Sequence, residues 1–368
     1  MNYYIIAGEA SGDLHASNLM KALQKKDANA NFRFWGGDLM QNVDGTLVKH
    51  YRDLAFMGFL EVIANLRTIL NNIKFCKKDI LKFNPDILIL VDYPGFNLRI
   101  AEFAKQHHIK VHYYISPQIW AWKENRIKKI KRDIDEMYVI LPFEKDFYEK
   151  KHNYPVHFVG HPLLDAITNR EQVNEHAFKK EYNLSEKPII VLLPGSRKQE
   201  IKKMLSVMLK MVDKFTDYQF VIAGAPSQSY EFYQPFIKSA SVKFISNKTY
   251  DLLSISFAAL VTSGTATLET ALFKIPEVVC YKSSAISYQI GKWLVDLKYI
   301  SLVNLILDRE VVTELIQHDF NEKKLEQELA KILDEKYRSQ LFLDYNDLDQ
   351  KLGGKRASEK TASLIINR

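Results

Sequence analysis

The sequence predicts an α/β protein built from two doubly wound, Rossmann-like domains in tandem. Three observations carry this. Short apolar runs rich in Val, Ile and Leu recur along most of the chain. Amphipathic segments separate most of these runs, and such alternation argues for parallel sheets with helices on both faces. At 368 residues the chain is also long for a single hydrophobic core.

In the first half, strands are expected at residues 3–7, 32–35, 87–91, 110–115, 137–140 and 157–159, with helical segments such as 14–23 and 100–106 between them. In the second half they are expected at 189–193, 219–223, 242–245, 259–262 and 278–281. The polar stretch 168–187 reads as a junction plus one short helix. Beyond Lys323 the pattern is helical to the end, broken at Gly353-Gly354. This divides the chain into a first domain at 1–167, a second at 168–335 and a helical tail at 336–368. In doubly wound domains ligands bind beyond the carboxyl ends of the strands. In a tandem pair those ends are expected to face each other across a cleft.

Composition narrows the function. Hydrophobic residues make up 47% and charged residues 26%, as in an ordinary globular protein. Cys76 and Cys280 are far apart without metal spacing, and read as two free thiols in a reducing cytoplasm. The N-terminus enters a strand pattern at once, so no signal peptide is expected, and no run is long enough for a transmembrane helix. A net charge of +7 suits an anionic partner. Arg126, Lys128, Lys129, Lys131 and Arg132 form the densest basic run. No nucleic-acid motif accompanies it, so nucleic acid is not expected as a partner.

Ser263-Gly264-Thr265-Ala266-Thr267-Leu268-Glu269 lies between an apolar strand and a helical pattern. Small residues let a ligand approach the backbone, and the N–H groups and dipole of a new helix attract phosphate. Glu269, one turn in, could take a ribose hydroxyl. The same residues also fit an ordinary capped turn. Pro194-Gly195-Ser196-Arg197 follows the first strand of the second half; Gly195 and Ser196 suit a phosphate-binding turn, and Arg197 suits a diphosphate through paired hydrogen bonds. A surface arginine fits there as well.

In the first half, Gly8-Glu9-Ala10-Ser11-Gly12-Asp13 follows the first strand. It lacks the dinucleotide spacing and the P-loop lysine, and fits either a ligand-facing loop or a structural turn in which Asp13 caps a helix. Asp92 ends the run 87–91 and precedes Tyr93-Pro94-Gly95. It is placed to be a general base for a sugar hydroxyl, or to form the turn before Pro-Gly. Ser116-Pro117-Gln118-Ile119-Trp120-Ala121-Trp122 brings two tryptophans close together, to line a sugar or acyl site or to pack on the basic helix that follows.

Met57, Phe59, Leu60, Val62, Ile63, Leu66, Ile69, Leu70 and Ile73 form an apolar stripe at helical spacing, flanked by Arg67, Lys74, Lys77 and Lys78. The stripe fits an interfacial helix on anionic lipid or a core-facing helix. Asp133-x-Asp135 and Asp347-x-Asp349 do not sit at strand ends, and His107, His108 and His112 have no zinc pattern around them. No metal site is expected.

Taken in order, these segments resemble the lipid-A-disaccharide synthase family of bacterial glycosyltransferases. The likeness covers Gly8 to Asp13, Gly36-Gly37-x-x-Met40, Met57-Gly58-Phe59-Leu60-Glu61-Val62, Asp92 to Asn97, Ser116 to Trp122, Leu141-Pro142-Phe143-Glu144, Gly160-His161-Pro162, Leu193 to Arg197, Ser263 to Glu269 and Tyr299 to Leu305. Each segment is weak alone; the ordered set is specific. Many members carry an acidic residue where this chain has Gly95, which leaves Asp92 as the clearer base. The tail after Lys323 shows little recognisable pattern.

The resemblance implies the GT-B architecture and an inverting transfer that needs neither cofactor nor metal. The donor is UDP-2,3-diacylglucosamine and the acceptor 2,3-diacylglucosamine 1-phosphate, called lipid X. The products are the lipid A disaccharide 1-phosphate and UDP. It assigns Asp92 as base, Arg197 with Gly195, Ser196, Gly264, Thr265, Ala266 and Thr267 to UDP, Glu269 to the ribose and Asn304 to the nucleotide site. Glu9, Ser11 and Gly12 would face the donor across the cleft, Glu9 within the catalytic group. Acylated substrates imply peripheral binding at the cytoplasmic face of the inner membrane of a Gram-negative cell, through the stripe 57–70. The resemblance allows a homodimer, and implies that the C-terminal segment returns to the first domain or is exchanged between subunits. Other GT-B enzymes, UDP-sugar epimerases and a basic lipid-binding module are the rival readings.

Overall fold

The computed structural model describes residues 1–54, 66–237, 241–283 and 298–367. They form two units, Met1–Thr168 with Leu352–Arg368, and Asn169–Lys351.

The first unit runs β1 (Asn2–Ala7), α1 (Ala10–Lys26), β2 (Asn31–Gly36), α2 (Asp38–Gln41), β3 (Thr46–His50), α3 (Leu66–Phe83), β4 (Ile87–Val91), α4 (Pro94–Gln106), β5 (Lys110–Tyr114), α5 (Ile127–Asp133), β6 (Glu136–Val139), α6 (Pro142–Asp146), β7 (His157–Phe158) and α7 (Leu163–Thr168). The seven strands are parallel, in the order β3-β2-β1-β4-β5-β6-β7. β1 pairs with β2 on one side, Tyr3 opposite Phe32, and with β4 on the other, Tyr3 opposite Ile87. The chain order therefore reverses between β1 and β4, and a crevice opens above their carboxyl ends. All of β4 and nearly all of β1 is buried, which is why both read as unbroken apolar runs. β3 escapes the sequence pattern because it lies at the sheet edge and mixes polar with apolar residues.

The second unit runs α8 (Glu175–Glu181), β8 (Ile189–Leu193), α9 (Lys198–Met208), β9 (Gln219–Gly224), α10 (Tyr230–Tyr233), β10 (Val242–Ser246), α11 (Thr249–Ser254), β11 (Ala258–Thr262), α12 (Thr265–Leu272), β12 (Glu277–Tyr281), α13 (Leu302–Leu307), β13 (Glu314–Ile316), α14 (Glu322–Leu333) and α15 (Glu335–Lys351). Its parallel strands lie in the order β10-β9-β8-β11-β12-β13. The reversal falls between β8 and β11, again at the first strand of the unit. β13, an edge strand of three residues, is too short to leave a sequence signal. The polar junction holds α8, whose cap is the Asn174 side chain accepting from the Ala177 N–H at 3.0 Å.

The segment 336–368, read above as one tail, is divided. α15 belongs to the second unit, and α16 (Ala357–Ile366) packs on α1 in the first. Gly160-His161-Pro162 receives this returning chain. The His161 N–H donates to the Leu352 carbonyl at 3.0 Å, and a Cβ on Gly160 would lie 3.1 Å from the same oxygen. Asp165 then caps α16, accepting from the N–H groups of Arg356 and Ser358 at 2.5 and 2.9 Å.

Of the expected membrane stripe, Met57, Phe59, Leu60, Val62 and Ile63 lie outside the described residues, and Leu66 opens α3. Ile69 departs from the interfacial face: it packs on the core of the first unit, above the buried Ile73, Cys76 and Ile80 at helical spacing. Leu70 and Phe75 turn outward, 53% and 49% exposed. No described helix is long and apolar enough to cross a membrane.

Candidate active site

The β1/β4 reversal brings together the loops that carry Glu9 and Asp92. Asp92 and Tyr93 both adopt left-handed backbone, with φ of 45° and 49°. For residues other than glycine this costs of order 1 to 3 kcal/mol each and persists only where the surroundings enforce it. Here they do. The Asp92 N–H donates to the Tyr114 carbonyl at 3.0 Å. Its own carbonyl accepts from Asn97 Nδ2 at 2.7 Å and from the Tyr113 hydroxyl at 2.5 Å. The bend turns the half-buried Asp92 carboxyl into the crevice region. Burial, reinforced by the charges of Glu9 and Glu144, pushes it up to about 7. A carboxylate with that proton affinity is suited to general-base work near neutral pH.

Glu9 is exposed at the N-cap of α1, with Ser11 exposed beside it. Gly12 is buried: a Cβ there would lie 3.2 Å from the Ala7 Cβ, so the helix sits hard on the strand end. Asp13 does not act as the cap of its own helix. Its carboxylate accepts from the N–H groups of Gly37, Leu39 and Met40 at 2.7, 3.1 and 3.1 Å. It thereby anchors the Gly36-Gly37 turn and the start of α2.

Further along the sheet, the loop after β5 is tied to the turn after β6. The Trp120 ring meets Phe143 edge-on at 4.8 Å, and its indole N–H donates to Glu144 at 3.1 Å. Trp122 instead lies exposed, with Lys123 and Arg126 over its ring at 4.1 and 5.7 Å. Sequence reading named Glu144 only as part of a motif. Its signal was Pro142 at the first helical position with a glutamate two residues later, the mark of a helix start.

At the β8/β11 reversal, Gly195 has φ +98°, and a Cβ there would strike the Glu200 carboxylate at 2.2 Å. The Ser196 N–H donates to that carboxylate at 3.1 Å, and its carbonyl accepts from the Ser227 hydroxyl at 3.1 Å. Arg197 is exposed at the N-cap of α9. Among the described residues its guanidinium makes no hydrogen bond or ion pair. Gly264 caps α12 with open space around its Cα. Thr267 turns its hydroxyl back to the Gly264 carbonyl at 2.9 Å, while the N–H groups of Thr265 and Ala266 stand at the helix mouth. Glu269 is half-buried, and burial raises its proton affinity despite the Tyr250 hydroxyl, which donates to it at 3.0 Å. Sequence reading did not find Tyr250, because it comes from the separate helix α11, apart in sequence from the 263–269 loop.

Asn304 is placed otherwise than expected. It is fully buried. Its amide donates to the Val312 carbonyl and Glu314 at 2.8 and 2.9 Å, and accepts from the N–H groups of Val311 and Val312 at 2.8 and 3.0 Å. Every hydrogen-bonding position is filled, so the side chain shapes the 299–305 turn and leaves no group for a nucleotide. That turn reaches the 263–269 loop by its backbone, the Ser263 hydroxyl donating to the Ile300 carbonyl at 3.1 Å.

The acidic pairs are structural. Asp133 pairs with Arg132, Asp135 with Lys105, Asp347 with Arg309 and Asp349 with Lys274. Among the described residues no three His, Cys, Asp or Glu side chains form a metal-ligand set.

Two Rossmann-like units, each a parallel sheet whose strand order reverses at its first strand, make up the architecture of the GT-B class. Solved structures share the fold. A UDP-GlcNAc 2-epimerase from Methanocaldococcus jannaschii, in complex with UDP-GlcNAc and UDP, superposes with TM-score 0.68 at 14% identity over 100% of both chains. The Neisseria meningitidis UDP-GlcNAc 2-epimerase gives 0.66 at 13% identity, covering 100% of this chain and 99% of that one. At such identities the likeness concerns the fold alone. Sequence relatives are closer. The lipid-A-disaccharide synthase of Coxiella burnetii (strain CbuG_Q212) is 38% identical over 369 residues, 99% of this chain and 97% of that protein. The Syntrophus aciditrophicus synthase is 38% identical over 371 residues, 98% of this chain and 96% of that one. The sequence model of the lipid-A-disaccharide synthetase family matches residues 3–366. The chain belongs to the lipid-A-disaccharide synthase family, and is a glycosyltransferase of lipid A biosynthesis.

Proposed function

We propose that the enzyme transfers the sugar of UDP-2,3-diacylglucosamine to the 6-hydroxyl of 2,3-diacylglucosamine 1-phosphate with inversion. The products are the β-1,6-linked disaccharide 1-phosphate and UDP. The observation that carries this reading is how the two strand reversals are furnished. The first holds a carboxylate pushed up to about 7. The second holds an arginine that has no partner among the described residues, beside two helix N-termini.

Asp92 takes the proton of the acceptor hydroxyl as its oxygen bonds to the anomeric carbon. The bond from that carbon to the UDP oxygen breaks, and the electron pair leaves with UDP. Arg197, with the N–H groups at Gly195, Thr265 and Ala266 and the Ser196 hydroxyl, stabilises the negative charge on the diphosphate. Gly264 and Thr267 keep the helix mouth open and in register. Glu269, oriented by Tyr250, takes the ribose. Glu9 and Ser11, exposed at the start of α1, take part in binding the sugar, while Gly12 lets the helix sit close on the strand end. One displacement suffices, and no covalent enzyme intermediate is required. The acylated substrates call for work at the cytoplasmic face of the inner membrane, with the outward Leu70 and the apolar residues that precede it in the chain, Ile69 excepted, as the contact. A homodimer is compatible with this arrangement.

The test is a mass-spectrometric turnover assay with both substrates, with and without EDTA. The expected result is disaccharide 1-phosphate and UDP in equal amounts, undiminished by EDTA. Arg197→Ala should weaken UDP binding about tenfold or more, a loss of ~1.5 to 3 kcal/mol for a charged hydrogen bond. Absence of product from folded, UDP-binding protein would reject the acceptor assignment.

A further inference from the structure

The carboxylate of Glu144 is 1% exposed, and four donors converge on it. The Ser116 hydroxyl and the Trp120 indole N–H meet Oε1 at 2.6 and 3.1 Å. The N–H groups of Ile140 and Leu141 meet Oε2 at 3.1 and 2.9 Å. The two backbone groups and the indole can only donate, and with the Ser116 hydroxyl they favour the ionised carboxylate against the burial that raises its proton affinity. These bonds join two neighbouring strand ends. Ser116 and Trp120 belong to the loop after β5, while Ile140 and Leu141 belong to the turn after β6. The loop after β5 begins with Ile115 at φ +64°, a left-handed conformation that is strained for a β-branched residue. The Ile115 N–H is held by the Tyr138 carbonyl at 3.1 Å, and the next strand end over is the Asp92 bend, bonded to Tyr113 and Tyr114 of β5. Three adjacent strand ends thus form one ladder, locked at its outer side by Glu144.

We propose that Glu144 is a positioning residue for the transfer reaction, holding the strained 115–120 loop against the Asp92 bend so that the acceptor hydroxyl is presented to the base. This rests on the transferase reading given above. The role of Glu144 is also electrostatic. The charged and titratable groups facing Asp92 are Glu9 from the α1 cap, Glu144 from α6 and the Tyr113 phenol, with the Tyr93 backbone N–H bonded to its carboxyl. Tyr148 faces Glu144 itself. Glu9 and Glu144 are the like charges in this set, and both strengthen the hold of Asp92 on its proton.

Glu144→Gln tests this, since an amide must turn its NH2 toward one of the two donor pairs. Ser116→Ala and Trp120→Phe each remove one loop contact and leave both backbone N–H bonds, so they carry the test if Glu144→Gln does not fold. On the full chain, each single loop variant should lower kcat about tenfold, within the range that small misplacements of reacting groups cost, with UDP affinity unchanged. The double variant Ser116→Ala/Glu144→Gln should be no slower than Glu144→Gln alone, because both act through one contact. In Glu144→Gln the rising limb of kcat/KM should move to lower pH, while in Ser116→Ala and Trp120→Phe, which loosen the loop but keep the Glu144 charge, it should stay in place. Multiplying losses, or full activity in both loop variants, would overturn the proposal. Hydrogen exchange over residues 115–122 reads the loop without substrate. Faster exchange in Ser116→Ala together with an inactive wild type would reject the assigned reaction and keep the hold on the loop. Unchanged exchange would overturn the hold itself.

Discussion

The ring of Tyr93 occupies the space in which a side chain on Gly8 would lie: a Cβ there would come within 2.3 Å of it. Two loops far apart in sequence, one after β1 and one after β4, are thereby packed ring on backbone above the strand reversal. Tyr93 also stacks on Phe96 at 5.7 Å, which in turn meets Trp35 at 5.4 Å. The ring therefore has little freedom to yield.

Gly8→Ala forces either Tyr93 or the β1 loop to move. Overpacking of this kind costs about 1 to 3 kcal/mol. The variant is expected to melt a few degrees lower by calorimetry and to lose activity by a larger factor than stability, since Asp92 adjoins Tyr93. A variant with unaltered melting and turnover would mean that the ring is free to swing aside.

Asp92→Asn removes the base without altering the hydrogen bonds of its backbone. Turnover should fall by about 100-fold to 10,000-fold, the usual worth of a general base. Because the folded carboxyl titrates at about 7, it is protonated and idle below that pH. Wild-type kcat/KM should rise about tenfold per pH unit on the acid side and level off above neutrality. The residual activity of the variant should show no such inflection. Equal losses in turnover and UDP binding would point to a structural role instead.

Tyr250→Phe deletes the one hydroxyl among the described residues that donates to Glu269. The net worth of such a bond is about 1 kcal/mol, so UDP should bind about fivefold more weakly by calorimetric titration. Glu269→Ala should cost more, and the double variant should be no weaker than Glu269→Ala alone. Additive losses would place Tyr250 in direct contact with ligand.

Glu277 opens β12 with its carboxyl fully buried, and among the described residues neither oxygen has a hydrogen-bond partner. Burial holds its proton affinity well above the ordinary value of 4.5. Nearby lie Cys280 and Tyr345, which are raised by the same burial and bring no positive charge. With the folded value above the unfolded one, the contribution is fully present below the unfolded value and is lost as pH rises through the folded one. Wild-type stability should therefore decline on the alkaline side. Glu277→Gln should match wild type near pH 4 and melt at a higher temperature than wild type at pH 8. A pH-independent difference between the two melting curves would mean that Glu277 is ionised in the fold.

How much was legible follows the physics of each element. β1, β4, β8 and β11 are central and nearly wholly buried, so their apolar runs announce them. The same strands carry Asp92, Gly195 and Gly264 at their carboxyl ends, and small residues and lone carboxylates after such runs are visible in one dimension. Edge strands β3 and β13 lack that burial and left no signal. Ile69 and Leu70 are neighbours in one apolar stripe, yet one meets the core and the other solvent, because the helix has a second layer on only one side.

The sequence by itself determined the two-sheet organisation, the family and the identity of the loops that carry chemistry, because hydrophobic periodicity and turn residues are local properties. Only the tertiary structure decided what each polar side chain does. Asp13 serves a turn from another strand, Asn304 exhausts itself on its own neighbours, and Glu144 collects four donors from two loops. Such roles depend on which donors and acceptors are brought within about 3 Å after folding, and that proximity is written in no short stretch of the chain.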